Sequence, residues 1–233
     1  MDAQALINCW EHGRRRHTLD RALLLFAAAE PAADVDSLAD RTLGERNAAL
    51  LRLRRALFGD ELKSCVDCPE CSERLEFTLS ANALLARAPE FATAPEGFLE
   101  IQGLRVRLPT TRDLASAARE ADPVSASCRL LQRLCLDGVP ESVSAEFEAE
   151  MARVFDAADP CMDFGIDLTC PACTHAWNAS FDVPGFLWEE IDTRARRLLD
   201  EVHALARSYG WSERQILELS DVRRGAYLER VLA

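Results

Sequence analysis

Apolar residues recur at spacings of three and four through the first sixty positions, which predicts helices over residues 3–10, 19–29 and 36–58. Thr18 is the expected N-cap of the second, and Gly59 closes the third. The period then changes. Leu75, Phe77 and Leu79 alternate with Glu76, Thr78 and Ser80, the signature of a short strand with one wet face. Residues 88–98 read as a loop, and 99–108 alternate again about Gln102 and Gly103, a tight hairpin turn. Helices are expected over 111–121, capped by Thr110 or Thr111, then over 124–136 and 143–158. Residues 166–183 read as strand, turn and strand, with Trp177, Ala179 and Phe181 on the apolar side. From Leu187 one stripe follows: Ile191, Ala195, Leu198, Val202, Leu205 and Tyr209. Gly210 stops it, Ser212 and Gln215 form a capping box, and Ser220 caps a last helix to residue 232.

Two of the turns carry the same chemistry. Cys68-Pro69-Glu70-Cys71 and Cys170-Pro171-Ala172-Cys173 are both C-P-x-C, and each leads into an alternating strand. A C-x-x-C turn brings two thiolates to one tetrahedral ion, and two such knuckles close a four-sulfur site of the zinc-ribbon kind. The expected ligands are Cys68, Cys71, Cys170 and Cys173, around a structural zinc with no position open to substrate. The 98 residues between the knuckles must then be a domain inserted in the ribbon, which the fold has to close. Cys65 lies three before Cys68 and is an alternative ligand or a spare thiol, while His175 reads as a strand residue beside the site. Two unrelated redox or core turns are the plainer alternative. Cys9, Cys128, Cys135 and Cys161 read as core residues.

The charge balance narrows the choice of partner. There are 39 acidic against 27 basic residues, a net charge of -12, or about -14 with four thiolates and a divalent ion. Such a field repels phosphate backbones and anionic membrane surfaces. Lys63 is the sole lysine. Arg14, Arg15 and Arg16 are the one basic cluster, which reads either as a contact for an acidic partner or as a solvated turn. No apolar run reaches the roughly 20 residues that span a bilayer, and the first residues do not resemble a secretory signal, so a cytoplasmic protein is expected. Phosphate-loop, dinucleotide, zinc-protease and nucleophile-elbow motifs are missing, and the four histidines fall in separate elements.

Six segments together are similar to a known family. They are W-E-x-G-R-x-R-H-x-x-D-R-A-L-L-L from Trp10, L-R-R-A-L-F-G from Leu53, C-P-x-C-x-E-R-L-E-F from Cys68, R-L-P-T-x-R-D-L from Arg107, C-P-A-C-x-H-x-W from Cys170, and Y-G-W-S-E-R-x-I-L-x-L-S from Tyr209. The chain resembles the T-even-type phage baseplate protein family, in the form found in phage-derived contractile injection system clusters. Ser72 and Thr174 stand where such relatives usually have Gly after each knuckle. The resemblance implies a component of the baseplate of a contractile tail, or a factor that builds it, with other baseplate or tail subunits as partners and several copies around the tail axis.

The expectation is therefore an α+β protein, mainly helical. Its segments would be an N-terminal helical region (1–60), a first knuckle hairpin (61–82), an inserted hairpin and helical region (83–165), a second knuckle hairpin (166–184) and C-terminal helices (185–233), of which residues 187–232 would bind a neighbouring subunit. A non-enzymatic baseplate role leads. A zinc-ribbon binding module of transcription or RNA metabolism is the alternative, opposed by Glu70, Glu73, Glu76 and Asp182 around the ribbon. A thiol redox enzyme is the third reading.

Overall fold

The computed structural model describes residues 1–87, 97–140 and 143–232. It is a mixed fold of helices with small antiparallel hairpins. The chain opens with α1 (Ala3–Gly13), α2 (Thr18–Ala29), α3 (Val35–Ala39) and α4 (Leu43–Phe58), then forms the hairpin of β1 (Glu61–Asp67) and β2 (Arg74–Ser80). After α5 (Ala81–Leu85) come the small hairpin of β3 (Leu99–Ile101) and β4 (Leu104–Val106) and three helices, α6 (Thr111–Ala117), α7 (Pro123–Leu134) and α8 (Ala145–Ala158). The third hairpin is β5 (Gly165–Thr169) with β6 (Ala176–Ser180), followed by α9 (Val183–Tyr209), α10 (Glu213–Leu217) and α11 (Asp221–Leu232). Among the described residues no helix is long and apolar enough to cross a membrane.

Several boundaries differ from the periodicity for local reasons. The helix expected over 36–58 is two helices, because Thr42 and Glu45 form a capping box that starts a new one after Asp40. At α2 the cap is His17, not Thr18: its ring Nδ1 accepts the Leu19 N–H at 3.3 Å. Thr110 caps α6, with Asp113 completing the box. Gln102 (φ 50°) and Gly103 (φ 80°) are both left-handed, as a two-residue hairpin turn of right-handed twist requires. α9 starts at Val183, earlier than its stripe suggests, since Pro184 fits a first helical turn that needs no donor. Its 27 residues span about 40 Å. The loop expected over 88–98 falls, at 88–96, outside the described residues.

The chain divides into two compact units, one of residues 1–28 with 184–233 and the other of residues 29–183. In the first, Leu187, Ile191, Ala195, Leu198 and Leu205 of α9 are buried, as are Leu6, Trp10, Leu25 and Phe26. Trp10 donates its indole N–H to Asp192 at 2.6 Å. Gly13 is obligatory, because a Cβ there would lie 2.4 Å from the Trp188 ring. The Arg14–Arg16 turn is exposed, and Arg21 donates to the Gly13 and Arg14 carbonyls behind it.

In the second unit Ile101, Val106, Leu134, Phe147 and Phe155 form the core of the segment between the two cysteine turns. Asp113 is wholly buried there, bonded by Arg107 (2.6 and 2.7 Å), Arg133 (2.6 Å) and Thr110. Around α4 a second polar set ties the two hairpins to one place. Asn47 donates to the carbonyls of Cys161 and Met162, both at 3.0 Å, and Gly44 donates its N–H to Asp159 at 3.0 Å. α4 leads directly into β1 and residues 159–162 lead directly into β5, so these bonds hold the roots of both hairpins together. Cys9, Cys135 and Cys161 are buried, but Cys128 is exposed on α7 and is not a core residue. Seven-residue spacing places Cys128 and Cys135 on one face only while the helix lasts, and α7 ends at Leu134.

Candidate metal centre

The two knuckles repeat one another bond for bond. In the first, Cys68 donates its N–H to the Glu73 carbonyl at 2.8 Å and accepts the Ser72 N–H on its own carbonyl at 2.9 Å. In the second, Cys170 donates to the His175 carbonyl and accepts from Thr174, both at 2.9 Å. Ser72 (φ 59°) and Thr174 (φ 62°) occupy the same left-handed position, one residue after the second cysteine of each turn. An L-residue is strained there by roughly 1–2 kcal/mol, so the bonds on either side must hold it.

This backbone winding aims N–H groups at sulfur. Glu73 donates to Cys71 Sγ and His175 to Cys173 Sγ, while Ala172 and Cys173 donate to Cys170 Sγ. Hydrogen bonds of this kind stabilise a thiolate over a thiol. Each knuckle sits at the tip of a hairpin whose base is fixed. Asp60 accepts from Ser80 Oγ (2.7 Å) and Asn82 N–H (2.8 Å) below the first, and Phe181 N–H bonds the Phe164 carbonyl at 2.9 Å below the second.

The hairpins bring the sulfurs of Cys68, Cys71, Cys170 and Cys173 within 4.8 Å of one another. Cys71 and Cys170 are 3.5 Å apart and Cys68 and Cys173 3.7 Å, well beyond the roughly 2.05 Å of a disulfide. Cys68 and Cys170 are buried, Cys173 is half-buried and Cys71 is exposed. Crowding divides their ionisation. The Cys173 N–H draws Cys170 down to about 7. The Glu73 N–H pulls Cys71 the same way, but the neighbouring Cys173 thiol and desolvation overcome it and push Cys71 up to about 12. Four such sulfurs become thiolates together only around a cation, and the donor set fits a metal ion.

Cys65 stands outside this group. It lies on β1 opposite Glu76 and accepts a hydrogen bond from Arg74 Nη2 at 2.9 Å. The His175 ring stacks on Trp177, with centroids 5.9 Å apart, and it is the His175 backbone that serves the site. Glu73 and His175 as backbone donors were not singled out from sequence. The signal was present, because both lie two residues after the second cysteine of a repeated turn. No family model matches the chain, and neither curated proteins nor solved structures include a significant match to it.

Proposed function

We propose that the protein is a non-enzymatic structural or assembly component of the baseplate of a phage-like contractile tail or contractile injection system, pinned by a structural four-cysteine zinc site. The observation that carries the zinc reading is the closed four-sulfur cluster built from two matching knuckles. Zinc–sulfur bonds of about 2.3 Å set tetrahedral sulfurs about 3.8 Å apart, close to the 3.5 and 3.7 Å of the two cross-knuckle pairs. Zinc would supply four coordinate bonds and neutralise part of the thiolate charge. With every position filled by protein sulfur, the arrangement suits a clamp, which is what a rigid assembly part needs.

The baseplate reading is supported by the six sequence segments that resemble that family. Several of them coincide with interactions that fix local structure: R-L-P-T-x-R-D-L contains the buried Arg107–Asp113 pair, and the Trp10 segment contains the Gly13 turn and the Trp10–Asp192 bond. Mass spectrometry of purified contractile particles from the native host, beside electron microscopy of a strain lacking the gene, tests it. Stoichiometric presence with failed assembly on deletion marks a baseplate part, and need without presence marks an assembly factor. Normal particles in the deletion strain would refute the reading.

A further inference from the structure

The Y-G-W-S segment takes no part in the metal centre, and the buried stripe of α9 stops short of it. Leu205 is fully buried, whereas Tyr209 is 39% exposed. Gly210, at φ 70°, turns the chain so that Trp211 stacks on Tyr209 with 4.7 Å between centroids. Tyr227 of α11 meets both rings edge-on, 4.9 Å from Trp211 and 5.7 Å from Tyr209. Both tyrosines of the chain are therefore in this one surface cluster. Neither phenolic hydroxyl nor the Trp211 N–H finds a hydrogen-bond partner among the described residues.

The cluster has a cationic flank and a rigid base. Arg223 and Arg230 are exposed, four residues before and three after Tyr227, spacings that share one helix face. Neither enters an ion pair among the described residues. α11 is anchored from below by Arg224, which is 1% exposed and donates to Glu201 at 2.5 Å, to the Leu219 carbonyl at 3.0 Å and to Asp221. Trp, Tyr and Arg on an ordered support are the residue types that carry binding energy in protein interfaces.

The chain itself provides the complementary charge. The unit formed by residues 1–28 and 184–233 contains 12 arginines, no lysine and 12 acidic residues, so it is neutral. The unit formed by residues 29–183 contains 15 basic and 27 acidic residues and so carries the whole net charge of -12. We infer that the Tyr209–Trp211–Tyr227 cluster with Arg223 and Arg230 is a docking surface for a second copy of this chain, which it meets on the acidic 29–183 unit. Contacts between two different surfaces are head-to-tail, and they build rings or filaments instead of closed pairs. An aromatic and arginine surface also suits single-stranded nucleic acid, but the acidic unit opposes it.

Sedimentation velocity and light scattering on the full metal-loaded chain test this. Association that grows with concentration is expected at about 50 mM salt, weakened at least tenfold at about 500 mM, where charges are screened within a few Å. Arg223→Glu with Arg230→Glu, which leaves the rings in place, should weaken it at least tenfold. So should Trp211→Ala, while Arg14→Ser, Arg15→Ser and Arg16→Ser together should leave it unchanged. The inference is overturned by a chain that stays monomeric at low salt, by association that the Arg223 and Arg230 changes do not touch or the Arg14–Arg16 changes abolish, or by a monomer that binds a single-stranded oligonucleotide through Trp211. A monomer still found in tail particles would remove this inference alone. Self-association of a protein whose deletion leaves normal particles would remove only the baseplate reading.

Discussion

Asp113 shows how a single side chain can carry a segment. Burial alone would raise its carboxyl, but the guanidiniums of Arg107 and Arg133, with Thr110, hold it well below the usual carboxylate range. A carboxyl depressed in the folded state adds stability that is complete above its unfolded value of about 4 and fades as the pH falls through that value toward the folded one. Asp113→Asn should therefore cost about 3 kcal/mol at neutral pH, because it leaves two arginines without their partner. Urea titrations should also show the variant losing less stability than the parent between about pH 5 and pH 2. Equal acid slopes would assign the pH dependence to other carboxyls. The cysteines give a second test. Burial pushes Cys9 and Cys161 up to about 11, and Cys135 is also buried, which leaves Cys65 and Cys128 as exposed thiols outside the cluster. Rapid titration with a thiol reagent should find two reactive thiols in the metal-loaded protein and at least six after chelation. Six from the start would mean that no ion is held.

Among the elements, the knuckles and α4 respond to small backbone changes in opposite directions. Glycine at Ser72 or Thr174 removes the strain of a left-handed L-residue, and each change should raise stability by up to about 1 kcal/mol in thermal melts. A loss would show that the side chain contributes more than the strain costs. Gly44→Ala works the other way, since its Cβ would fall 1.5 Å from Asp159 Oδ1 at the start of α4. The helix N-terminus and the chain leading into β5 would have to part, and a loss of at least about 3 kcal/mol is expected in the same melts. How legible these elements were depended on the range of the signal. The knuckle strands, the Gln102-Gly103 turn and the Ser212–Gln215 box rest on neighbours within five residues and could be read directly. The break between α3 and α4 was also written locally, in Thr42 and Glu45, but the continuous apolar period across it concealed the cap. The cap at His17 had no such signal, because an imidazole in that role has no sequence preference to mark it.

For the molecule as a whole, the cysteine cluster joins segments 98 residues apart inside the 29–183 unit. Sites of this type contribute roughly 10–16 kcal/mol in zinc-finger peptides, as much as a domain's entire stability. Cys68→Ser or Cys170→Ser should unfold or aggregate that unit, and elemental analysis should fall from one zinc per chain to none. Calorimetry should show chelation shifting the transition of the 29–183 unit while that of the other unit stays in place. A soluble serine variant with unchanged melting would refute a structural role for the ion. The sequence by itself determined most of the helices, the hairpins and the four cysteines that cluster, because capping, alternation and the C-P-x-C spacing all act within a few residues of chain. It also determined the total charge, though not its distribution. Tertiary structure alone decided that the two knuckles meet, that Cys65 and Cys128 stay out, that Asp113 is buried with its arginines, and that the net negative charge lies in one unit. The meeting of the knuckles and the Asp113–Arg133 pair depend on contacts between residues far apart in the chain, where packing selects the partner and no local pattern records it.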